Sequence, residues 1–302
     1  MNKKQTLTLG GFLITFFGAV LFSTKAIFVK RAFADIKADP LTLLTLRMVF
    51  SLPFYVIAAF VARRRENSRI TRRQWVLTVG IGILGYYLSS LLDFLGLQYI
   101  SAGLERLILF LYPTFVVLIN IIFFKQPLTR NQTIALALTY VGIFIAYFGE
   151  FRLDSGNPDF LYGSFLIFLC AVTYSLYIVG SGRMIPQIGA TKFTAYAMLA
   201  ATAGIFIHFI VDKEWAVPRY DNTFVMYGLA LALIATVIPS FLVSAGVKSI
   251  GSSNVAIISS IGPVSTIIQA HFFLNEPIFF EQIIGTVLVV IGVLLLGLSK
   301  KN

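Results

Sequence analysis

The chain repeats itself over half its length, and this duplication limits its fold more than any other feature. One set of residues recurs 150 positions later, in the pairs Pro113 and Pro263, Pro127 and Pro277, Gln132 and Gln282, and Gly142 and Gly292. A second set recurs at an offset of 152 positions, in the pairs Gly11 and Gly163, Phe16 and Phe168, Ala19 and Ala171, Val20 and Val172, and Ser23 and Ser175. The period is far longer than the roughly 20–50 residues of a solenoid unit. It predicts two copies of one structural domain, residues 1–150 and residues 151–302.

The composition indicates what kind of domain is duplicated. Hydrophobic residues make up 58% of the chain and charged residues 12%, whereas soluble domains carry about 25% charged residues. Apolar runs of roughly 20 residues, enough for a helix to cross a bilayer, follow one another along the sequence. They lack the alternating polarity of membrane β-strands. We therefore expect an all-α integral membrane protein with ten transmembrane helices, at residues 9–31, 40–62, 74–97, 103–124, 131–149, 160–181, 192–211, 223–247, 252–274 and 280–299.

The charges between these spans predict an orientation. If the spans alternate from an N-terminus on the inner side, that side receives Glu66 and the basic residues Lys3, Lys4, Arg63, Arg64, Arg65, Arg69, Arg72, Arg73, Lys125, Arg130, Arg183, Lys192, Lys248, Lys300 and Lys301. The other side receives Lys30, Arg31, Lys37, Arg152, Lys213 and Arg219, with the acids Asp35, Asp39, Glu150, Asp154, Asp159, Asp212, Glu214, Asp221, Glu276 and Glu281. Because Lys and Arg mark the cytoplasmic side, we expect both termini in the cytoplasm. Contact of the basic loops with anionic lipid then explains the net charge of +11 without a nucleic-acid partner.

Repeat and orientation together predict inverted copies. Each copy has five spans, an odd number, so the second copy enters the membrane in the opposite direction to the first. Inverted five-helix repeats, joined here by the polar segment 150–159, are a recurring design of secondary transporters. The design suits alternating access, since two opposed copies can exchange inward-open and outward-open shapes around a central cavity.

Five ionisable residues fall inside predicted spans, and all five belong to the first copy: Lys25, Arg47, Asp93, Glu105 and Arg106. Each costs roughly 2.5–3.5 kcal/mol at the bilayer centre, so each should face a partner or a cavity. We expect them in the outer half of the membrane, paired as Lys25–Asp93 and Arg47–Glu105. Two interpretations stay open: an ion-pair network that locks or gates the outer ends of the helices, or a substrate site whose single excess positive charge suits a carboxylate. Asp93 or Glu105 could also carry a coupling proton.

Other polar and aromatic residues on span faces extend this candidate substrate-binding or gating set: Tyr86, Tyr112, Asn120, Tyr177, Ser240, Ser259 and Gln269. For any one of them, helix–helix hydrogen bonding or packing is the ordinary alternative. Pro113 and Pro263 lie at repeat-related positions, and proline kinks a helix. They are therefore candidate hinges, with static helix shape as the alternative. Glycines in the segment 81–85 and at Gly285 predict close helix packing.

No motif in the sequence indicates enzymatic chemistry, a metal or a cofactor. We find no phosphate-binding loop, nucleophile elbow or zinc motif, and Cys170 is the one cysteine. An ATP-driven pump is therefore unsupported. The runner-up class is an integral-membrane enzyme that uses the cluster of charged residues, and a membrane receptor or assembly factor is a third class.

Several of these motifs resemble those of the EamA-type transporters of the drug/metabolite transporter superfamily, over nearly the whole chain. In that family the fourth helix of each half carries a mid-membrane proline, matched here by Pro113 and Pro263. The matching motifs are Arg47-Met48, the acidic loop Asn275-Glu276-Pro277, and the glycines Gly285 and Gly292. The first copy departs from the family pattern, because Lys125-Gln126-Pro127 lacks the acid of that loop. The resemblance implies a ten-span permease of the bacterial inner membrane that exports a small metabolite, such as an amino acid, without a cofactor.

Overall fold

The described part of the chain is entirely helical. The computed structural model describes residues 8–65, 70–124, 130–153, 157–212, 221–250, 258–259 and 261–299. The first copy contains α1 (Leu9–Ile36), α2 (Pro40–Arg65), α3 (Arg72–Gly96), α4 (Ala102–Leu109 followed by Tyr112–Phe124) and α5 (Arg130–Leu153). The second contains α6 (Phe160–Ile188), α7 (Ala190–Asp212), α8 (Asn222–Ala232 continuing to Ile238–Ile250), α9 (Ile261–Leu274) and α10 (Phe280–Ser299). Each of the ten predicted spans overlaps one of these helices.

Length and hydropathy identify the fold as that of a membrane protein. Seven helices among the described residues are long and apolar enough to cross a bilayer, namely α1–α4 and α6–α8. The other three contain shorter apolar stretches, at Leu136–Phe151, Ile261–Leu274 and Phe280–Gly292. Large apolar side chains remain exposed on the helix surfaces, such as Phe144 and Val211 at 61% and 79%. Such a surface is stable in lipid, where every backbone group of a helix is satisfied within its own segment.

Two helices, α1 and α6, extend farthest beyond their predicted ends. The sequence predicts that α1 ends at residue 31, but the helix continues to Ile36 and ends at Lys37, which has a left-handed φ of 49°. The sequence predicts that α6 ends at residue 181, but it continues through Pro186 to Ile188 and is followed by Gly189, whose φ is 85°. Hydropathy underestimates both lengths, because a polar turn outside the hydrocarbon can stay helical until a residue with left-handed or glycine backbone stops it.

The third helix of each copy contains a π-helical segment that the sequence did not predict. In α3 it spans Ile83–Leu88, and in α8 it spans Leu233–Val237. The two segments begin at repeat-equivalent positions, 150 residues apart. A π-helical segment is rare and is often found at functional sites. The duplication therefore preserves a local backbone irregularity as well as the helix order.

The two copies make reciprocal contacts, in which the first helix of each copy packs against helices of the other copy. Helix α1 packs against α8 and α9, and its repeat counterpart α6 packs against α3 and α4. Further inter-copy contacts join α2 to α7, α5 to α10, α2 to α8, α3 to α7 and α4 to α9. Glycines permit close approach, as predicted: a Cβ added to Gly142 on α5 would lie 2.6 Å from the carbonyl oxygen of Gly285 on α10. These reciprocal contacts are the pattern expected of two copies related by a two-fold axis.

Helix α4 is interrupted in its middle. Its two parts are separated by Phe110 and Leu111, and Pro113 is the second residue of the second part. Proline cannot donate a backbone hydrogen bond, and its ring disfavours helical geometry in the preceding turn. The described part of α9 begins at Ile261, two residues before Pro263. The helix is thus interrupted just before Pro113, and the use of Pro113 and Pro263 as hinges stays a prediction.

Candidate functional site

Three of the five charged residues predicted within spans meet inside the first copy. Lys25 on α1 places its Nζ 2.6 Å from Oδ2 of Asp93 on α3 and 3.5 Å from Oε1 of Glu105 on α4. The two carboxylates are fully buried, and the lysine side chain is 15% exposed. The predicted pair Lys25–Asp93 is confirmed, and one lysine bridges two acids from different helices.

Arg47 does not pair with Glu105, so that prediction is wrong. Its Nη2 donates a hydrogen bond to Oγ of Ser90 at 2.9 Å, and its guanidinium lies over the ring of Phe94, 5.0 Å from the centroid. The packing of the helices explains this difference, because α2 packs against α3, α7 and α8, whereas α1 packs against α4. Lys25 therefore reaches Glu105, and Arg47 binds the face of α3 that carries Ser90 and Phe94.

Arg106 points from the first copy towards the second. Successive residues of a helix point about 100° apart. Glu105 faces Lys25, so the next residue, Arg106, points to a different side of α4. The guanidinium instead lies against Gly262 on α9, where an added Cβ would be 2.7 Å from Nη2. Ser23 on α1 also donates to the carbonyl oxygen of Gly262, at 3.2 Å. The charged cluster (Lys25, Arg47, Asp93, Glu105 and Arg106) thus borders the contact between the two copies.

The cluster contains buried polar atoms that lack hydrogen-bond partners among the described residues. They include two donors and two acceptors: Nε of Arg47, Nε of Arg106, Oδ1 of Asp93 and Oε2 of Glu105. A buried polar group without a partner costs about 1–3 kcal/mol. A ligand with both an anionic and a cationic end could satisfy both kinds of atom. Within the described residues, no three His, Cys, Asp or Glu side chains are grouped so as to hold a metal ion.

A chain of tyrosines extends from the cluster along α3, α4 and α6. The Tyr86 and Tyr177 hydroxyls are 3.4 Å apart, with ring centroids separated by 4.9 Å. Tyr174 joins the other members, with its centroid 5.9 Å from that of Tyr177 and 5.1 Å from that of Tyr112. Tyr174 is absent from the predicted set, although its spacing of three residues from Tyr177 places both on one helix face.

Ser240 on α8 contacts Tyr55 on α2, the helix that carries Arg47, and the sequence analysis missed Tyr55. The Tyr55 hydroxyl on α2 lies 3.1 Å from Oγ of Ser240, and both side chains are buried. Tyr55 follows Arg47 by eight residues, about two helical turns, so it lies on the same face of α2. This spacing is the signal that could have found it.

For the remaining predicted site residues, the described side chains show no contact with the cluster. Gln269 donates from Nε2 to Oγ of Ser265 on its own helix, at 2.7 Å. Ser259 is half-buried in the short described segment before α9, and the side chain of Asn120 lies outside the described residues. Pro127 and the Lys125-Gln126-Pro127 motif also lie outside them.

Comparisons with known proteins agree with the arrangement of two similar halves. The EamA-like transporter family matches residues 9–148 and 161–298. The "Uncharacterized transporter YcbK" of Bacillus subtilis is 30% identical over 280 residues, which cover 91% of this chain and 88% of that protein. The "S-adenosylmethionine/S-adenosylhomocysteine transporter" of Chlamydia trachomatis is 26% identical over 219 residues, covering 70% of this chain and 64% of that protein.

A solved crystal structure supports the same fold. It is 18% identical in sequence, and it aligns with a TM-score of 0.68 over 97% of this chain and 99% of that chain. Because both halves match a family of transporters, the alternative of a membrane enzyme is removed. The chain belongs to the EamA-like transporter family, in the drug/metabolite transporter superfamily, and is a multi-pass membrane transporter of small metabolites.

Proposed function

We propose that the protein is a secondary transporter that exports a small metabolite, such as an amino acid, and that the charged cluster binds it. The observation that carries this proposal is the presence of unpaired buried donors on Arg47 and Arg106 beside unpaired buried acceptors on Asp93 and Glu105. An amino acid carries both complementary charges, a carboxylate for the guanidinium groups and an ammonium for the carboxylates. When all five groups are ionised, the cluster has three positive and two negative charges. The single excess positive charge favours binding of the carboxylate.

The position of the cluster fits transport by alternating access. Arg106 contacts Gly262 of the other copy, so a rocking motion between the copies would change its surroundings. We infer that the two copies are inverted and that both termini are cytoplasmic in a bacterial inner membrane. The odd number of helices per copy and the excess of basic residues on one side support this orientation.

One relative offers a chemical parallel for the substrate. The Chlamydia trachomatis relative is named for S-adenosylmethionine and S-adenosylhomocysteine, and both molecules contain an amino-acid carboxylate and amine. We propose the same end group for the substrate of this chain. The tyrosine chain formed by Tyr86, Tyr112, Tyr174 and Tyr177 would contact the remainder of the molecule.

The free oxygens of the two acids also support proton coupling. Lys25 binds Oδ2 of Asp93 and Oε1 of Glu105, and the second oxygen of each carboxylate receives no hydrogen bond from a donor among the described residues. We propose that one of these acids exchanges its proton for substrate during the cycle. This mechanism requires no ATP.

Counterflow in proteoliposomes tests the function. Vesicles loaded with one unlabelled amino acid or related metabolite at a time would be offered the labelled compound, with pH gradients imposed in parallel runs. We expect accumulation of at least one compound, lost in Asp93→Asn and retained in the matched variant Glu281→Gln, whose acid lies away from the cluster. Folded protein that exchanges no member of a broad panel, or Asp93→Asn that exchanges normally, would overturn the proposal.

A further inference from the structure

A cavity of about 460 Å³ lies at the end of the bundle where both copies contribute loops. We call it the vestibule. Its lining comes from α1, the α3–α4 loop, the end of α5, the segment before α6, the α9–α10 loop and the first turn of α10. It includes Lys30, Tyr99, Glu150, Asn157, Glu276 and Gln282. The first turn of α4 borders the vestibule at Ser101, and Glu105 and Arg106 follow within that helix. The vestibule therefore lies next to the charged cluster.

The first turn of α4 is held by an acid from the other copy. The backbone N–H of Ala102 donates to Oε1 of Glu276 at 3.0 Å, and that of Gly103 donates to Oε2 at 3.3 Å. A carboxylate at a helix N-terminus also gains from the helix dipole. Both oxygens of Glu276 are thus engaged across the boundary between the copies.

The rest of that turn is satisfied within the first copy. Ser101 is the N-cap, and its Oγ accepts from the N–H of Leu104 at 3.0 Å. The N–H of Ser101 donates to Oε1 of Glu150, at the end of α5, at 3.3 Å. Ser101 therefore caps Leu104 locally, whereas the N–H groups of Ala102 and Gly103 are bound by Glu276 from the other copy.

The repeat shows that the fold does not demand an acid at this position. Glu276 precedes Pro277, and its counterpart before Pro127 is Gln126. An acid stands at one of two equivalent positions only. A negative charge at this position is therefore not a requirement of the repeat, and in the second copy it lies where the α9–α10 loop meets the first turn of α4.

We propose that Glu276 is a positioning residue that holds the vestibule side of the transport path closed. It ties the α9–α10 loop to the first turn of α4, and so it keeps Glu105 and Arg106 at their places beside Lys25 and Gly262. Opening towards the vestibule requires these two charge-assisted hydrogen bonds to break. This inference rests on the proposed alternating access and adds the residue that biases it.

A distance measurement without substrate tests the role of Glu276. Spin labels at Gln98 and Ile278, both exposed, would report the separation of the α3–α4 loop from the α9–α10 loop, in protein with Cys170→Ala. We expect Glu276→Gln to raise the ratio of long to short distances about tenfold, because the charge-assisted bonds are lost. Glu281→Gln is the matched control, since Glu281 also lies within one helical turn of the label in sequence but packs against Gly149 instead.

A second variant guards against simple loss of fold. Glu276→Asp keeps the charge on a side chain one methylene shorter, and we expect a smaller rise in the long distances than in Glu276→Gln. An unchanged distance distribution in folded Glu276→Gln, or an equal change in Glu281→Gln, would overturn the inference. Because no substrate is added, such a result is distinct from a failure of the counterflow assay, which tests the transport function itself.

Discussion

Lys25 and Asp93 form an ion pair of 2.6 Å that joins α1 to α3 inside the first copy. The same ammonium lies 3.5 Å from Glu105 on α4, so one cation holds two buried acids. Such a group stabilises the protein only while it is complete, because each ion has lost its contact with water. The ion pairs therefore couple the positions of three helices to the presence of one lysine.

Replacing Lys25 with methionine should destabilise the protein strongly. The change leaves Asp93 and Glu105 as buried acids without their cation, and removing one partner of a buried pair costs about 3–5 kcal/mol. Thermal unfolding in detergent would measure the effect, with Arg31→Met, at the exposed end of α1, as the control. The neutral triple variant Lys25→Met, Asp93→Asn, Glu105→Gln should recover much of the stability without transport. A triple variant no more stable than Lys25→Met would contradict this account.

The positions of the helices along the chain could be predicted from the sequence more fully than which helices pack against each other. Hydropathy found each of the ten helices in the described part of the chain, and repeat spacing assigned them to two copies. The π-helical segments at Ile83–Leu88 and Leu233–Val237 escaped prediction. An extra residue in a helical turn changes neither hydropathy nor composition, so no pattern signals it.

The two predicted ion pairs show which contacts of the site could be predicted from the sequence and which could not. Depth in the membrane brought Lys25 and Asp93 to the same level, and their helices are neighbours, so the pair was predictable. Arg47 and Glu105 share that level too, but α2 packs away from α4. Depth is a property of one span, whereas neighbourhood depends on how all the helices pack. The hydrogen bonds of Glu276 to α4 escaped for the same reason.

A methyl group at Gly262 should disturb substrate binding more than folding. The added Cβ would lie 2.7 Å from Nη2 of Arg106 and 3.1 Å from its Nε, so the guanidinium must move. Because the obstructing atoms end a flexible side chain, the helices can stay in place. We expect Gly262→Ala to raise the substrate KM about tenfold, a loss of roughly 1.4 kcal/mol.

The control for Gly262→Ala is Gly80→Ala on α3. A Cβ added at Gly80 has no atom within 4 Å, so it reports the general effect of an added methyl group in a helix. Transport assays and thermal unfolding of both variants would separate binding from stability. Equal KM values for Gly262→Ala and the parent would show that the place of Arg106 does not matter for binding.

The hydrogen bond between Tyr55 and Ser240 predicts an unequal response to removing either hydroxyl. Ser240 donates to the carbonyl oxygen of Val237 at 2.8 Å, so Tyr55 is the donor in the 3.1 Å bond between the copies. Ser240→Ala strands a buried tyrosine hydroxyl, at about 1–3 kcal/mol, whereas Tyr55→Phe leaves Ser240 its own bond and costs about 0.6 kcal/mol. Thermal unfolding should rank Ser240→Ala below Tyr55→Phe, with the double variant close to Tyr55→Phe and the control Ser181→Ala near the parent. The reverse ranking would show that the bond runs in the other direction.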